Sequence, residues 1–265
     1  MFDKNDPGAR MLWSWLVPAP NAGPAQHAAA EAALNVITLP RERMFAESVA
    51  HIVNDLYGYR DSVRLSRPVD GAGKPLPLYT YPSIHYLDSL DWRAADVFEF
   101  GSGNSTLWWA ARARSVTSVE NNPAWYGELS SQLPDSARVI LETGRPLGRA
   151  MPQDGMRYQV IVVDCGDNRY AAAEAAVGRL ADDGILVLDN AEWYPQTTAL
   201  LRSAGPIEID FAGLKPCEFH TSVTSLFLKP GFRPTPNEAR LPPYPIGGKR
   251  RHETAPQPWD VPLKG

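Results

Sequence analysis

This 265-residue chain has no long apolar run, few cysteines and little excess of one charge over the other. No apolar stretch reaches the roughly 18 residues that a membrane-spanning helix needs, so we expect no membrane partner. Two cysteines, Cys165 and Cys217, are too few for a disulfide framework, which favours a reducing, cytoplasmic compartment. A formal net charge of −4 gives no electrostatic reason to expect nucleic acid as a partner.

The N-terminal segment has one feature of a secretory signal, because Lys4 and Arg10 precede the apolar run MLWSWLV. Asp3 and Asp6 offset that positive charge, and Ser14 interrupts a run that is already minimal in length. We therefore expect this segment to stay on the protein, where its tryptophans either pack on the domain or cover a ligand site.

The length and composition fit one sizeable α/β domain with appendages, because hydrophobic residues make up 44% of the chain. Residues 1–82 combine two predicted helices, over 24–36 and 39–57, with an irregular proline-rich connection. We interpret this segment as a substrate lid. Residues 83–229 carry regular strand and helix patterns and form the predicted core domain, and residues 230–265 are a proline-rich tail.

From residue 96 the chain repeats a strand–turn–helix pattern, which predicts a doubly wound, mostly parallel sheet with helices on both faces. The last two apolar runs have no helix between them, so we expect an antiparallel strand pair that closes the sheet. The predicted strands cover residues 96–100, 115–120, 137–141, 158–164, 185–189, 206–211 and 222–229.

Four of the predicted strands end in a carboxylic acid, namely Glu99, Glu120, Asp164 and Asp189. In a doubly wound sheet, ligands bind beyond the carboxyl ends of the strands, where the strand order reverses. Glu99 leads directly into the glycine turn GSG, where the main chain can approach a ligand closely. These features together predict a polar ligand cleft at this edge of the sheet.

The same motifs resemble the class I S-adenosylmethionine-dependent methyltransferases. EFGSGNST, which begins at Glu99, matches the first motif of that family, although Ser105 stands where a third glycine is often found. VENNP matches the second motif, and YQVIVVDCGDNRY and DDGILVLDNAEWYP match the fourth and fifth strands. The closing antiparallel pair also fits this family better than a nicotinamide-binding Rossmann domain. The resemblance covers residues 97–190.

The resemblance implies S-adenosylmethionine as the cofactor and assigns residues to it. Glu120 would hold the ribose hydroxyls, with Asn121 beside it, and Glu142 and Thr143 fall where the adenine is often contacted. The residues implied at the methionine end and at the following helix start are Glu99, Gly101, Gly103, Asn104, Ser105 and Thr106. For the two hydroxyl residues of that set, helix capping is an equally good interpretation.

Within the family, Asp164 with Asp189 and Asn190 resembles the divalent-metal ligands of catechol-type O-methyltransferases. Such oxygen ligands suit Mg²⁺, which would hold a substrate hydroxyl and favour its deprotonation. Those enzymes carry a lysine base shortly after the strand-four aspartate, whereas this chain has CGDNRY, with Asp167 and no lysine. We therefore predict a catalytic role for the three residues and leave the metal open.

Other side chains near these motifs have weaker assignments. Cys165 follows an aspartate, whose negative charge raises the pKa of the thiol, so we expect an inert cysteine. His220 or His85 would serve as a general base, or lie at an edge without a catalytic role. Trp193 and Tyr194 would flank a planar substrate or cover the sheet edge.

The sequence therefore predicts a cytoplasmic methyltransferase that acts on a small-molecule acceptor, at oxygen because of the acid cluster. Two alternatives stay open: a non-catalytic scaffold that binds the cofactor or a sugar or lipid carrier, and an aminopropyltransferase-like enzyme. A nicotinamide-dependent oxidoreductase is disfavoured, because GSGNS is a poor match to a pyrophosphate turn. The acceptor and the oligomeric state are not indicated.

Overall fold

The computed structural model of the protein describes residues 23–37, 40–152, 154–238 and 242–248. The run MLWSWLV and most of the proline-rich tail lie outside these residues. In the described part of the chain, no helix is long and apolar enough to cross a bilayer. The helices are α1 (Pro24–Ile37), α2 (Pro40–His51), α3 (Tyr59–Leu65), α4 (Tyr81–Asp88), α5 (Asn104–Ala110), α6 (Pro123–Ser130), α7 (Arg169–Val177) and α8 (Pro195–Ser203).

Seven strands form a single sheet in the order β3-β2-β1-β4-β5-β7-β6. The first five strands run parallel to one another, and β7 runs antiparallel to both β5 and β6. This arrangement confirms the predicted fold class, including the closing antiparallel pair. The strands are β1 (Asp96–Phe100), β2 (Ser115–Glu120), β3 (Ala137–Leu141), β4 (Tyr158–Val163), β5 (Leu180–Asp189), β6 (Ile207–Leu214) and β7 (Thr221–Leu228).

Alternate residues of the central strands build two separate hydrophobic cores, because successive side chains of a strand point to opposite faces. On the face that we call the front, Val97 and Val162 pack with Leu87 of α4 and Trp109 of α5. On the back face, a second set packs against α7 and α8: Phe98, Phe100, Ile161, Val163, Leu186 and Leu188 meet Ala172, Ala176 and Leu201. Helices therefore cover both faces, as predicted.

Local capping residues define the start of α6. Asn122 precedes the helix and accepts hydrogen bonds at Oδ1 from the amides of Ala124 (3.0 Å) and Trp125 (3.2 Å). Pro123 fills the first helical position, where no backbone donor is required. This short polar-and-proline pair fixes where the chain leaves β2 and turns back along the sheet.

Some predicted boundaries are wrong. The strand predicted over 185–189 begins five residues earlier, because α7 ends at Val177 and Leu180 already belongs to β5, where it pairs with Tyr158 before a register shift. The helix expected over 39–57 consists of α2 followed by a wider π-helical turn, Ile52–Leu56. Backbone pairing with β4, which a local pattern does not reveal, sets the start of β5, and the π-helical turn is closed within the helix by the Tyr57 amide, which donates to the Ile52 carbonyl at 3.0 Å.

Candidate functional site

The carboxyl ends of β1, β2, β4 and β5 bring the four predicted acids to one edge of the sheet. Glu99 (1% exposed), Glu120 (7%) and Asp189 (1%) are buried, and the side chain of Asp164 is 24% exposed. Each acid lies an even number of residues after a strand residue of the front core, as Glu99 does after Val97 and Asp164 does after Val162. All four therefore lie on the front side. Strand order reverses between β1 and β4, at the centre of this acidic edge.

The glycine turn after β1 is fixed by one close backbone approach. Gly101 has φ +92°, and a Cβ atom there would lie 2.7 Å from the carbonyl oxygen of Asp164. A side chain would therefore be strained in two ways, by the positive φ and by contact with the end of β4. Gly103 is extended, and a Cβ there would meet only Trp125, at 3.6 Å. The fold therefore requires glycine at Gly101 and does not require it at Gly103.

Glu99 is a buried carboxylate with an unused oxygen. Ser118 Oγ donates to its Oε2 at 2.7 Å, whereas Oε1 has no hydrogen-bond partner in the described structure. Burial raises the pKa of Glu99, and the hydroxyls of Thr106, Ser118 and Ser105 oppose that shift. Because a buried polar oxygen without a partner is costly, this atom is suited to accept a hydrogen bond from a ligand.

Glu120 accepts four hydrogen bonds. The amides of Asn121 and Asn122 donate to Oε1, both at 2.9 Å, and the amide and hydroxyl of Ser102 donate to Oε2 at 3.1 Å and 2.8 Å. The indole of Trp125 donates to the carbonyl of Ser102 at 2.7 Å. Glu120 and Trp125 thus hold the glycine turn from two sides, and Ser102 occupies the carboxylate oxygen that a ligand hydroxyl would use.

The remaining residues that the resemblance assigned to the cofactor have local partners. Asn104 donates from Nδ2 to the Pro68 carbonyl (2.6 Å) and accepts from Arg67 Nε (3.2 Å), so its side chain anchors the segment before β1. Thr106 Oγ1 accepts from the Gly103 amide (3.1 Å), which is the capping interpretation. Glu142 is bound by Arg145 and the Gly144 amide, and Asn121 and Thr143 are exposed.

Asp164 is paired with an arginine that the sequence analysis did not single out. Arg169 Nη2 donates to Asp164 Oδ1 at 2.8 Å. Burial, followed by the charge of Asp189, raises the pKa of Asp164 to about 7, although Arg169 and Lys215 oppose the shift. A carboxyl with this pKa exchanges a proton near neutral pH, which is the property of a general base.

Arg169 links the ends of β4 and β5. It is buried, donates from Nε to the Cys165 carbonyl (2.9 Å) and from Nη1 to the Asp189 carbonyl, and its guanidinium lies 4.7 Å from the centre of the Tyr194 ring. The signal for it was present in CGDNRY, five positions after Asp164, where only a lysine had been sought. Arginine suits this position because its planar donors reach several oxygens at once.

Asp189 is paired with Lys215, which the sequence analysis missed entirely. Lys215 Nζ donates to Asp189 Oδ2, Thr224 Oγ1 donates to Oδ1 at 2.8 Å, and burial raises the pKa of Asp189 against the effect of Lys215. Asn190, at φ +52°, accepts from Lys215 Nζ at 3.3 Å and donates to Ser222 Oγ at 2.9 Å. Lys215 is 2% exposed and comes from the β6–β7 connection.

A tyrosine from the segment before β1 completes the front of the site. Tyr79 is fully buried, and Trp109 Nε1 donates to its hydroxyl at 3.5 Å. Burial, and then the charges of Glu99, Asp164 and Asp189, raise the pKa of Tyr79 well above its usual value. The proline-rich segment, which is predicted only as an irregular connection, therefore supplies a buried phenol on which the charges of three of the four acids act.

A divalent metal does not fit the acidic edge. Both oxygens of Asp189 are already bound, by Lys215 and Thr224, and Asp164 Oδ1 is bound by Arg169. The positive charges of Lys215 and Arg169 would also repel a divalent ion at this edge. Among the described residues, no group of three His, Cys, Asp or Glu side chains has the arrangement of a metal site. Catechol-type metal ligation is thus not supported by the geometry.

The weaker candidates lie off this centre. Cys165 is buried, and its pKa is raised to about 11, which agrees with an inert thiol. His220 is exposed beside Glu218 and contacts the ring of Trp193, edge to face, with centroids 6.3 Å apart. His85 lines a groove of about 290 Å³ on α4, whose lining includes none of the four acids.

No family model and no curated protein sequence matches this chain. Among solved structures, it is similar to precorrin-6y C5,15-methyltransferase from Geobacter metallireducens, at 14% identity, 57% coverage of this chain, 90% of that chain and a TM-score of 0.40. It is 13% identical to N-methyltransferase NodS from Bradyrhizobium japonicum, with 52% of this chain and 87% of that chain covered and a TM-score of 0.41. It is also 13% identical to TYW2 from M. jannaschii, solved in complex with AdoMet, with 60% of this chain and 79% of that chain covered and a TM-score of 0.41. Likeness at this level concerns the Rossmann-like fold, which the strand order shows directly, and carries nothing about activity.

Proposed function

We propose that the protein is an S-adenosylmethionine-dependent methyltransferase that acts at oxygen on a small-molecule acceptor. The observation that carries the proposal is the state of the acids at the ends of β1 and β2. Glu99 and Glu120 lie on either side of the glycine turn, and in the described residues neither contacts a cation. Buried acids without a counter-charge favour a ligand with its own positive charge and hydroxyl groups.

The residues at the ends of β1 and β2, which form one half of the acidic edge, then have distinct roles. The free Oε1 of Glu99 accepts a hydrogen bond from the amino end of the cofactor. Glu120 accepts from the ribose hydroxyls, which replace the two donors of Ser102. Gly101 and Gly103 let the main chain lie against the cofactor. When bound, S-adenosylmethionine supplies a methyl group on a positively charged sulfur.

The acceptor side is built by the ends of β4 and β5. Asp164 has one oxygen bound by Arg169, and its raised pKa suits it to take a proton from a hydroxyl at neutral pH. Asp189 and Asn190 hold the surroundings of that carboxyl through Lys215. An oxygen acceptor is favoured because an amine would enter a site that already holds two cations. The segment 1–82, which provides Tyr79, is proposed as the lid.

Calorimetry with S-adenosylmethionine and S-adenosylhomocysteine tests the proposal. We expect wild-type protein to bind both in one-to-one stoichiometry. Absence of binding would refute the cofactor assignment. Binding followed by no methylated product across a panel of phenols, enols and carboxylic acids would favour the alternative of a non-catalytic cofactor-binding protein, and methylation of amines alone would refute oxygen as the acceptor atom.

A further inference from the structure

Lys215 is the most deeply buried ammonium at the acidic edge. It follows β6, in the connection to β7, and is 2% exposed. Removing a lysine from water is costly unless its charge is paired and its donors are bound. The charge of Lys215 is paired with the Asp189 carboxylate, whereas Arg169 donates to the carboxylate of Asp164 and to the main-chain carbonyl of Asp189.

The donors of Lys215 are not all used. An ammonium group has three N–H donors. One reaches Asp189 Oδ2 and another reaches Asn190 Oδ1 at 3.3 Å, and the described residues supply no acceptor for the third. The neighbouring strand ends in Asp164, which has one oxygen bound by Arg169. Val163 pairs with Leu188, so Asp164 and Asp189 follow adjacent positions of two neighbouring strands, and the charge of Lys215 acts on Asp164 as well.

We propose that Lys215 binds the acceptor's hydroxyl oxygen and stabilises it as an oxyanion, so that the acceptor is an ionisable hydroxyl compound such as a phenol or an enol. This inference rests on the proposed function. In the proton transfer, the acceptor O–H bond breaks, the proton passes to the Asp164 carboxylate, and the electron pair stays on the oxygen. Lys215 thereby supplies the positive charge that a metal ion would supply in a site of oxygen ligands.

A chromophoric phenol tests the assignment without knowledge of the natural acceptor. The nitrophenol isomers absorb at different wavelengths as neutral molecules and as anions, so titration with protein reports the ionisation of the bound probe. The titration is run with and without S-adenosylhomocysteine. We expect the ratio of anion to neutral probe to rise about tenfold on binding to wild-type protein, and Lys215→Arg to retain most of that rise.

The variants are chosen so that loss of folding does not imitate the result. Lys215→Met leaves a buried charge on Asp189, so the double variant Lys215→Met, Asp189→Asn provides a neutral pair. Lys74→Met, at an exposed lysine, is the matched control. In the double variant we expect the rise in ionisation to disappear while the melting transition stays cooperative and S-adenosylhomocysteine binding stays within about twofold.

The outcomes separate the two proposals. Equal ionisation of the probe in wild type and in the double variant would overturn the role of Lys215, as would binding of the neutral form alone. S-adenosylhomocysteine binding with no affinity for any nitrophenol isomer would overturn the acceptor class. Failure of S-adenosylhomocysteine to bind, with probe ionisation still dependent on Lys215, would remove the methyl donor and keep the oxyanion site.

Discussion

Both halves of the acidic edge carry two carboxylic acids, but only the acids of one half are paired with cations. In the β1–β2 half, Glu99 and Glu120 are bound by hydroxyls and amides that lie within 19 positions along the chain. In the β4–β5 half, Asp164 and Asp189 are bound by cations, and Lys215 comes from 26 positions away. A carboxylate at the end of a strand therefore does not define a chemistry until its partners are known.

The difference has a direct consequence for ligands. Neutral donors leave the negative charge of the β1–β2 half uncompensated, so this half favours a cationic ligand with hydroxyl groups. Arg169 and Lys215 neutralise the β4–β5 half and disfavour a second cation there. The two halves together suit a reaction between a positively charged donor and an oxygen acceptor, which is how the proposed function uses them.

Removal of Lys215 is expected to have the largest effect on stability. Lys215→Ala leaves Asp189 buried without its cation, so we expect a loss of about 3–5 kcal/mol in the free energy of unfolding, measured by urea denaturation. The double variant with Asp189→Asn should recover most of it. Arg202→Ala, which breaks an exposed pair with Glu208, should change little. Equal losses at both positions would mean that burial does not distinguish the two pairs.

The β1–β2 half should affect binding rather than folding. Glu120→Ala removes a hydrogen-bond acceptor from the proposed cofactor site, and we expect binding of S-adenosylhomocysteine to weaken by about 1.5–3 kcal/mol in calorimetry. Glu174→Ala is the matched control, since it removes an exposed carboxylate from α7 on the back face of the sheet. Unchanged affinity in Glu120→Ala would break the assignment of this half to the cofactor.

A dependence of stability on pH is expected from the β4–β5 half. The pKa of Asp164 is raised to about 7 in the folded state, above its value in the unfolded chain. Between about pH 4 and 7 the folded state binds more protons, so the contribution of this group to stability falls as pH rises, by at most about 1.4 kcal/mol per pH unit. Asp164→Asn should flatten that part of a stability curve measured by denaturation, and an unchanged slope would contradict the raised pKa.

The smallest effect is expected from metal removal. Because Lys215 and Arg169 occupy the oxygens that a divalent ion would need, chelator treatment should leave S-adenosylhomocysteine binding and any measured turnover unchanged. Activity that is lost with chelator and restored by Mg²⁺ would show that these cations move away from the edge in the working enzyme, and the contrast between the two halves would then weaken.

The parts of the site that the sequence predicted are those made by neighbouring residues. Glu99 and Glu120 end buried strands, and the turn after Glu99 contains the glycines, so the period of the strands and the turn residues were sufficient. The same alternation placed Asp164 and Asp189 at the edge. The residues that surround these aspartates followed no period: Lys215 lies in a strand connection, and Tyr79, whose pKa their charges raise, lies in a proline-rich stretch that is predicted only as irregular.

The sequence by itself determined the order of the elements, the doubly wound sheet and the acidic edge, because hydrophobic alternation is a local property that tertiary contacts reinforce. Tertiary structure alone decided which acids keep their charge uncompensated. That outcome depends on β7 pairing back onto β5, which brings Thr224 and Lys215 to Asp189, and on Arg169 reaching across two strand ends. Electrostatic energy depends on distances in space, and separation along the chain does not encode them.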